Sequence, residues 1–151
     1  MSPEARERVR DQLRVDEGVV YEIYLDHLGY PTCGIGHLIK EDDAEHGQEV
    51  GTPVSEDRCF ELFEGDLDVA INEGRVLYGD DQWDSFPEEV QEILVNMVFN
   101  LGRPRLGQFK KMNAALAEGE WAVAAVEGRD SRWHSQVGAR AERLMRRLEN
   151  V

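Results

Sequence analysis

The sequence predicts an α+β fold with a helical majority, and three observations support this prediction. A helix pattern opens the chain, a strand-and-turn segment follows up to about residue 38, and only helix patterns come after residue 55. The 151 residues are enough for one domain with its own hydrophobic core. No run of about 18 apolar residues occurs, so we expect no membrane insertion.

The first predicted helix begins near Pro3, a residue suited to a first helical turn, and ends at Gly18. Val9 and Leu13 mark one apolar face at a spacing of four residues, and Glu17 continues that row. A carboxyl group beside apolar surface tends to keep its proton, because the ionised form is costly there, and it can then act as a proton donor. The alternative for Glu17 is a side chain that simply bends into water at the end of the helix.

A hairpin is predicted after this helix. Residues 19–26 alternate apolar and polar side chains like a β-strand, and residues 31–38 are expected to return beside them as a second strand. Gly34 and Gly36 weaken the second strand and indicate a bulge or a close approach of backbones. Asp26 lies where the first strand enters the turn, a wetter place in which we expect a carboxylate to stay ionised.

Glu17 and Asp26 together suggest glycoside hydrolysis, which uses one protonated and one charged carboxyl group facing a common space. The protonated group protonates the leaving oxygen, and the second group attacks the sugar or activates water, depending on their separation. Thr32, six residues after Asp26, offers a hydroxyl group near the same point. Two acidic residues in a chain that is 32% charged are a weak signal on their own.

The rest of the chain is predicted to be helical apart from irregular and turn segments. Residues 40–53 are polar and expected to be irregular, and Ser55 is suited to cap a long helix. Pro87 is expected to start a deeply buried helix that Gly102 ends, because its apolar residues cover more than one face. The predicted helices are about 55–78, 87–101, about 106–117, 120–127 and 139–149, with turns at 79–86 and about 131–135.

The net charge of −14 is unevenly distributed along the chain. Residues 41–92 hold 18 acidic and two basic residues, whereas residues 129–147 hold six arginines and two acidic residues. So acidic a chain disfavours nucleic acid as a partner, and the acidic block is typical of solvated helix faces. The first ten residues lack the apolar stretch of a signal peptide, so we expect the protein to stay in the cytoplasm where it is made.

Cysteine and histidine patterns indicate neither a disulfide framework nor a metal site. Cys33 and Cys59 are expected to be two buried free thiols, with a single disulfide as the alternative. We expect no metal and no other cofactor, because the four histidines are scattered without the spacing of metal ligands: His27, His37, His46 and His134.

Residues 13–38, LRVDEGVVYEIYLDHLGYPTCGIGHL, resemble the T-even phage lysozymes, the muramidases of glycoside hydrolase family twenty-four. The active-site signature of that family is a Glu, eight residues, an Asp, five residues and a Thr, a spacing that Glu17, Asp26 and Thr32 reproduce. The resemblance continues in order through four further segments: LFEGDLD (62–68), NMVFNLG (96–102), EWAVAAV (120–126) and SRWHSQVGARAERL (131–144).

The resemblance implies a lysozyme-like fold in which a single domain, residues 1–151, has two lobes. A small antiparallel β-sheet lies in the amino-terminal lobe, a long helix joins the lobes, and the glycan binds in the cleft between them. The implied bounds are about 18–55 for the β lobe, about 55–78 for the bridging helix, and about 79–151 together with the N-terminal helix for the helical lobe.

For the site, the resemblance implies that Glu17 is the general acid on the β-1,4 bond between N-acetylmuramic acid and N-acetylglucosamine. Asp26 and Thr32 are then expected to position and activate a water molecule. This reaction proceeds with inversion and needs carboxyl groups roughly 6.5 to 9.5 Å apart. Arg140 matches an arginine that supports the environment of the catalytic acid.

Further roles are implied for residues around the site. Leu38 and Phe99 match positions that line the glycan cleft, and Asn100 stands where the family commonly has a glutamine that contacts substrate. His37 is expected to pair with Asp66 in a structural role, and such a pair raises the pKa of the histidine.

Other matched positions are expected to be structural or to depart from the family. Trp121 and Trp133 match core tryptophans of the helical lobe. Met112 and Glu127 replace polar cleft residues, which alters the expected substrate contacts on that side. The family includes basic enzymes, whereas this chain is strongly acidic.

We therefore expect an endo-acting muramidase, a monomeric phage endolysin that acts on peptidoglycan strands and needs a holin-type pore to reach the wall. One alternative is a lytic transglycosylase, which needs one acid and no water activator. Asp26 and Thr32 argue against it. Another alternative is a non-catalytic wall-binding or tail-associated module, against which the intact triad argues.

Overall fold

The computed structural model describes all residues, 1–151. Nine α-helices and one three-stranded antiparallel sheet confirm the predicted α+β class with a helical majority. None of the helices combines the length and the apolar composition that a membrane span requires. The strands are β1 (Val20–Leu25), β2 (Pro31–Gly34) and β3 (His37–Leu38), and the helices are α1 (Pro3–Glu17), α2 (Glu56–Tyr78), α3 (Asp80–Ser85), α4 (Glu88–Leu101), α5 (Arg103–Leu106), α6 (Lys110–Ala117), α7 (Trp121–Arg129), α8 (Arg132–Val137) and α9 (Ala139–Glu149).

The chain forms two compact units. The β unit comprises residues 10–69, and the helical unit comprises residues 1–9 and 70–151. The boundaries fall inside α1 and α2, so each of these helices contributes residues to both units.

Helices α1 and α2 both begin at a serine cap, and the cap at Ser55 is the one that the sequence predicts. Ser2 Oγ accepts a hydrogen bond from the backbone N–H of Ala5 at 3.1 Å. Ser55 Oγ accepts one from the backbone N–H of Arg58 at 3.1 Å. Both helices also end where the sequence predicts, which confirms these two elements.

The sheet of the β unit has the strand order β1-β2-β3, with antiparallel neighbours. Tyr24 pairs with Thr32 across β1 and β2, and Thr32 pairs with Leu38 across β2 and β3. The prediction of one returning strand over residues 31–38 is wrong, because the chain turns between β2 and β3. Gly34 and Gly36 both have positive φ angles, 63° and 64°, which glycine adopts at little cost.

The core of the β unit explains the alternating pattern of β1 only in part. Of the apolar side chains of β1, Ile23 is buried, whereas Tyr21 and Leu25 are exposed.

Cys33 and Cys59 are buried and free, as expected. Burial raises the pKa of the Cys33 thiol to about 11, so it remains protonated at neutral pH. The core cluster contains Ile23, Cys33, Val54, Cys59 and Leu62.

Helix α4 supplies much of the core of the helical unit. Ten of its 14 residues are buried, which confirms the predicted deep burial. Its buried polar side chains are bonded: Gln91 Nε2 donates to the carbonyl of Trp83 at 2.7 Å, and Glu92 accepts from Arg8 at 2.9 Å. Gly102, with φ 84°, ends the helix as predicted.

The turn predicted for residues 79–86 is wrong, because residues 80–85 form helix α3. Trp83 on this helix is completely buried. A Cβ at Gly74 of α2 would lie 2.8 Å from the Trp83 ring, too close for a carbon contact. The glycine inside the long helix therefore makes room for the indole.

Two further helix boundaries differ from the predictions. The helix expected at about 106–117 begins only at Lys110, as α6, and a separate short helix that was not predicted, α5, precedes it and ends at Leu106. The turn expected at about 131–135 is helix α8. Ser131 caps α8 through Oγ, which accepts from the backbone N–H of His134 at 3.2 Å.

Candidate active site

Asp26 is fixed by the turn that follows β1. Its Oδ1 accepts hydrogen bonds from the backbone N–H groups of Leu28 and Tyr30, both at 2.9 Å. Its own N–H donates to the carbonyl of Tyr30 at 2.9 Å, and the N–H of Gly29 donates to the carbonyl of Asp26 at 2.9 Å. Both side-chain bonds use Oδ1, so Oδ2 is the oxygen left to bind a water molecule.

The side chain of Thr32, like that of Asp26, is hydrogen-bonded to the backbone of Tyr30. Its Oγ1 donates to the carbonyl of Tyr30 at 2.9 Å, and the residue is only 4% exposed. Because the hydroxyl hydrogen is used in this bond, Oγ1 is free only to accept a hydrogen bond from a further group such as water. The backbone of Tyr30 thus holds a carboxylate and a hydroxyl group in one arrangement.

Glu17 is the last residue of α1, and Gly18, with φ 72°, ends the helix there. A Cβ at Gly36 would lie 3.3 Å from Glu17 Oε2, so the carboxyl group rests against the turn between β2 and β3. At Gly36 the predicted close approach is therefore made by a side-chain carboxyl group. At Gly34 a Cβ would lie 3.2 Å from Cys59 Cβ and 3.4 Å from Cys59 Cα, so there the backbone of α2 comes close, as predicted.

Tyr24 belongs to the same region, although it is not among the predicted site residues. Burial raises the pKa of its hydroxyl group, and the nearby charges of Glu17 and Asp26 raise it further. Both carboxyl groups are therefore within electrostatic reach of one side chain in the β unit. The alternation of side chains along a strand places Tyr24 and Asp26 on the same side, and this pattern could have identified Tyr24 as a site residue.

His37 is held between two carboxylates and not one. Its Nδ1 lies 2.7 Å from Asp66 Oδ2, which confirms the predicted pair, and its Nε2 lies 2.7 Å from Asp43 Oδ2. Burial lowers the pKa of His37, but the hydrogen bonds to Asp66 and Asp43 outweigh it and the net pKa is raised. Asp43 also accepts the backbone N–H of Lys40 at 2.8 Å, which fixes the loop against β3.

The residues predicted to bind substrate are divided between the two units. Leu38 lies on β3 in the β unit and is 49% exposed, so its side chain is open to a ligand. Phe99 and Asn100 lie near the end of α4 in the helical unit. Asn100 Oδ1 accepts a hydrogen bond from Trp133 Nε1 at 2.8 Å, so its side chain has a structural partner. Binding of substrate by these residues stays a prediction.

Arg140, predicted to support the catalytic acid, lies on α9 in the helical unit and donates from Nε to Asn96 Oδ1 at 2.9 Å. Trp133 is 2% exposed, which confirms its predicted core position, while Trp121 is half-buried. Met112, expected to replace a polar cleft residue, is buried in the helical unit.

The fold, with an acidic helix end against a hairpin that fixes a carboxylate and a hydroxyl group, defines the class of protein as a lysozyme-type glycoside hydrolase. The family model described as phage lysozyme matches residues 14–150. The chain therefore belongs to the phage lysozyme family.

Individual relatives are similar over nearly the whole chain. Probable T4-type lysozyme 1 of Dictyostelium discoideum is 32% identical, with 93% of each chain covered by the alignment. Probable T4-type lysozyme 2 of the same organism is 31% identical, with 91% of each chain covered. The pre-baseplate central spike protein Gp5 of Enterobacteria phage T4 is 29% identical over 89% of this chain, which spans only 26% of that protein.

Proposed function

We propose that this protein is a peptidoglycan muramidase that hydrolyses the β-1,4 bond between N-acetylmuramic acid and N-acetylglucosamine with inversion. The observation that carries the proposal is the joint anchoring of Asp26 and Thr32 on the backbone of Tyr30. In the proposed mechanism, one carboxylate oxygen of Asp26 and the accepting hydroxyl oxygen of Thr32 bind the same water molecule. Glu17 supplies the second carboxyl group that glycoside hydrolysis needs.

In the proposed first event, Glu17 donates its proton to the glycosidic oxygen as the bond to the anomeric carbon breaks. The leaving sugar departs as a neutral alcohol, and Glu17 is left as a carboxylate.

The water molecule attacks the anomeric carbon from the opposite face and inverts its configuration. Thr32 Oγ1 accepts one hydrogen of this water, and Asp26 Oδ2 accepts the other and removes it as a proton. Oδ1 stays bonded to two backbone N–H groups throughout, so the carboxylate does not rotate during the transfer.

Clearing of a suspension of chloroform-treated Gram-negative cells tests the activity. Glu17→Gln keeps the size of the side chain but cannot donate a proton in this way, and we expect lysis to fall by at least about a hundredfold. Glu4→Gln, the same change at the exposed first turn of α1, is the matched control and is expected to lyse like the parent. Full lysis by Glu17→Gln would refute the mechanism.

The products distinguish hydrolysis from transglycosylation. Mass spectrometry of digested wall is expected to show reducing ends, because a water molecule has been added across the bond. A 1,6-anhydro sugar would assign the protein to the lytic transglycosylases instead. Proton NMR of the fresh product is expected to show the α-anomer first, as inversion of a β bond requires.

We further propose that the enzyme acts as a monomer in host lysis and reaches the wall through a pore made by a holin-type protein. Expression in the bacterial cytoplasm with and without such a pore tests this role, and lysis is expected only with the pore. The similarity to the central spike protein favours one alternative, a tail-associated lysozyme. Detection of the chain as a stoichiometric component of purified virions would support that alternative.

A further inference from the structure

Tyr24 lies directly after an irregularity in the pairing of β1 with β2. Val20 pairs with Gly34, and the next pair is that of Tyr24 with Thr32. Four residue steps along β1 therefore correspond to only two along β2. Extra residues of this kind bend a strand and change the direction of its side chains, and they are frequent next to active sites. Pairing resumes at Tyr24, directly opposite Thr32.

The backbone between these two pairs is hydrogen-bonded to residues 51–54. The N–H of Ile23 donates to the carbonyl of Thr52 at 2.9 Å, and the N–H of Gly51 donates to the carbonyl of Ile23 at 2.7 Å. These hydrogen bonds hold the irregular part of β1 in place. They therefore fix the direction of the strand where it reaches Tyr24.

The side chain of Tyr24 lies on the face of the sheet that carries Thr32. Residues directly opposite each other in an antiparallel pair project to the same side, with Cβ atoms about 4.5–5.5 Å apart. Asp26, two residues after Tyr24, projects to that side as well. Glu17 reaches the same sheet at Gly36, in the turn between β2 and β3. The half-buried ring of Tyr24 is therefore near all three groups of the proposed site.

The hydroxyl group of Tyr24 remains a hydrogen-bond donor at neutral pH. Burial raises its pKa above the ordinary value, and the charges of Glu17, Asp26 and Cys33 raise it further, in that order. A neutral phenol can donate one hydrogen bond, whereas a phenolate can only accept. The two carboxyl groups therefore keep the hydroxyl group in the form that can donate to one of them.

We infer that Tyr24 is a positioning residue for the acid, and that its hydroxyl group donates a hydrogen bond to the Glu17 carboxyl group as this group loses its proton. The inference rests on the proposed role of Glu17 as the general acid of a muramidase. A hydrogen bond to a carboxylate is stronger than one to a neutral carboxyl group, so this bond strengthens as the reaction proceeds. An interaction that is stronger in the transition state than in the bound substrate complex raises kcat.

Glu17 is a better acceptor for this donor than Asp26. Asp26 Oδ1 already accepts from two backbone N–H groups, and a third donor would make the carboxylate a weaker base. Glu17 gains negative charge in the proposed reaction, so a donor placed there lowers the barrier. Of the two carboxyl groups, Glu17 also acts more strongly on the Tyr24 hydroxyl group.

The release of reducing ends from soluble peptidoglycan strands by Tyr24→Phe tests the inference. We expect kcat to fall at least about tenfold, because a hydrogen bond to a charged group is lost, and KM to stay within about twofold of the parent. The alkaline limb of the pH profile of kcat is expected to move to higher pH, since a carboxyl group without this donor keeps its proton longer. A merely structural tyrosine would not move this limb.

Tyr21→Phe is the matched control, because it removes the hydroxyl group of an exposed tyrosine on the same strand. We expect it to keep the kcat and the pH profile of the parent. Tyr24→Phe keeps the aromatic ring, so its thermal unfolding temperature is expected to lie within a few degrees of the parent. Kinetics of Tyr24→Phe that equal those of Tyr21→Phe would overturn the inference. A rise in KM alone would also overturn it, because Tyr24 would then bind the sugar and not assist Glu17.

NMR of the full chain carrying ¹³C at the Cζ atom of tyrosine tests the contact without substrate. The Tyr24 signal is identified by its loss in Tyr24→Phe. It is expected to move as the carboxyl groups titrate between about pH 4 and 8, and most of this movement is expected to disappear in Glu17→Gln but to persist in Asp26→Asn. Movement that persists in full in Glu17→Gln would overturn the assignment of Glu17 as the acceptor.

The two measurements distinguish a failure of this inference from a failure of the proposed function. A parent protein that releases no reducing ends, while its Tyr24 signal follows Glu17, would refute the muramidase activity and leave the contact supported. A parent that hydrolyses peptidoglycan while its Tyr24 signal ignores Glu17 would refute the role of Tyr24 alone.

Discussion

Glu17 and Gly36 are in such close contact that a side chain at position 36 would have to push the Glu17 carboxyl group aside. A Cβ at Gly36 would lie 3.3 Å from Glu17 Oε2, and the φ angle of 64° disfavours any other residue. Gly36→Ala is therefore expected to displace the Glu17 carboxyl group and to lower the free energy of unfolding by about 1–2 kcal/mol. Lysis should fall by at least about tenfold, because general acid catalysis depends on position.

A variant at a second glycine distinguishes the effect of displacing the Glu17 carboxyl group from the effect of backbone strain. Gly47 has a similar φ angle of 80°, but no atom lies within 4 Å of the position that its Cβ would take. Gly47→Ala is expected to lose comparable stability in urea unfolding while keeping its lytic activity per folded molecule. Equal activity losses in the two variants would show that strain, and not contact with Glu17, is responsible.

Asp26→Asn is expected to remove activity without disturbing the turn. The amide oxygen of asparagine can still accept the N–H groups of Leu28 and Tyr30, so the hairpin keeps its hydrogen bonds. The missing negative charge leaves the attacking water without a base, and we expect lysis to fall by at least about a hundredfold. Circular dichroism and urea unfolding are expected to show less than about 1 kcal/mol of destabilisation.

Asp26→Ala provides the comparison for that variant. Alanine removes both hydrogen bonds as well as the charge, so we expect an additional loss of about 1–2 kcal/mol in unfolding free energy. If Asp26→Asn lyses as well as the parent, Asp26 does not act as a base. If both variants unfold alike, the two backbone bonds do not stabilise the turn.

The sequence predicted the candidate site where local signals position each group. The helix stop at Gly18 and the end of the first strand place Glu17 and Asp26, because both depend on short-range backbone preferences. The spacing to Thr32 supplied the family resemblance. Asp43 was missed, since it reaches His37 from an irregular segment whose path is set by tertiary hydrogen bonds and not by periodicity.

Helix α3 was missed for a related reason. Its six residues are too few to show a helical period, and most of them are polar. The helix is stabilised by burial of Trp83 beside Gly74, a contact between two elements that the local pattern does not contain. Gly74 on its own is unfavourable inside a helix, and the structure shows that the Trp83 ring uses the space it leaves.

Substitutions at the two interior glycines of α2 are expected to have opposite effects on stability. Gly65→Ala adds a Cβ with no atom within 4 Å and improves helix propensity, so we expect a gain of up to about 1 kcal/mol. Gly74→Ala places a Cβ 2.8 Å from the Trp83 ring, which is completely buried and stacks on Tyr78 at 6.3 Å. The ring has little room to move, and overpacking is expected to cost about 1–3 kcal/mol.

Urea unfolding of the two variants against the parent provides the measurement, because both changes are chemically identical and lie on one helix. A stabilised Gly74→Ala would mean that Trp83 moves aside at no cost. A destabilised Gly65→Ala would mean that the space around that position is needed.

The hydrogen bonds of His37 to Asp43 and Asp66 are expected to make the free energy of unfolding depend on pH. Because the folded pKa of His37 is raised, its contribution is fully present below the unfolded value of about 6.5 and is lost as pH rises through the folded value. Burial raises the pKa of Asp43, but the N–H of Lys40 and the His37 ring outweigh it and the net pKa is lowered. The contribution of Asp43 is therefore present above about pH 4 and is lost as pH falls through its folded value.

Asp43→Asn tests this pH dependence, since it removes the carboxylate charge that lies 2.7 Å from the imidazolium ring of His37. We expect it to lower the free energy of unfolding by about 1–2 kcal/mol near pH 5.5, because the amide oxygen of asparagine can still accept the hydrogen bond but without the charge that strengthens it. The difference from the parent should shrink as pH rises and His37 becomes neutral. Asp42→Asn, the same change at the neighbouring exposed residue, is expected to have a small effect at every pH. A loss in Asp43→Asn that is constant from pH 5.5 to 9 would show that His37 is not the charged partner.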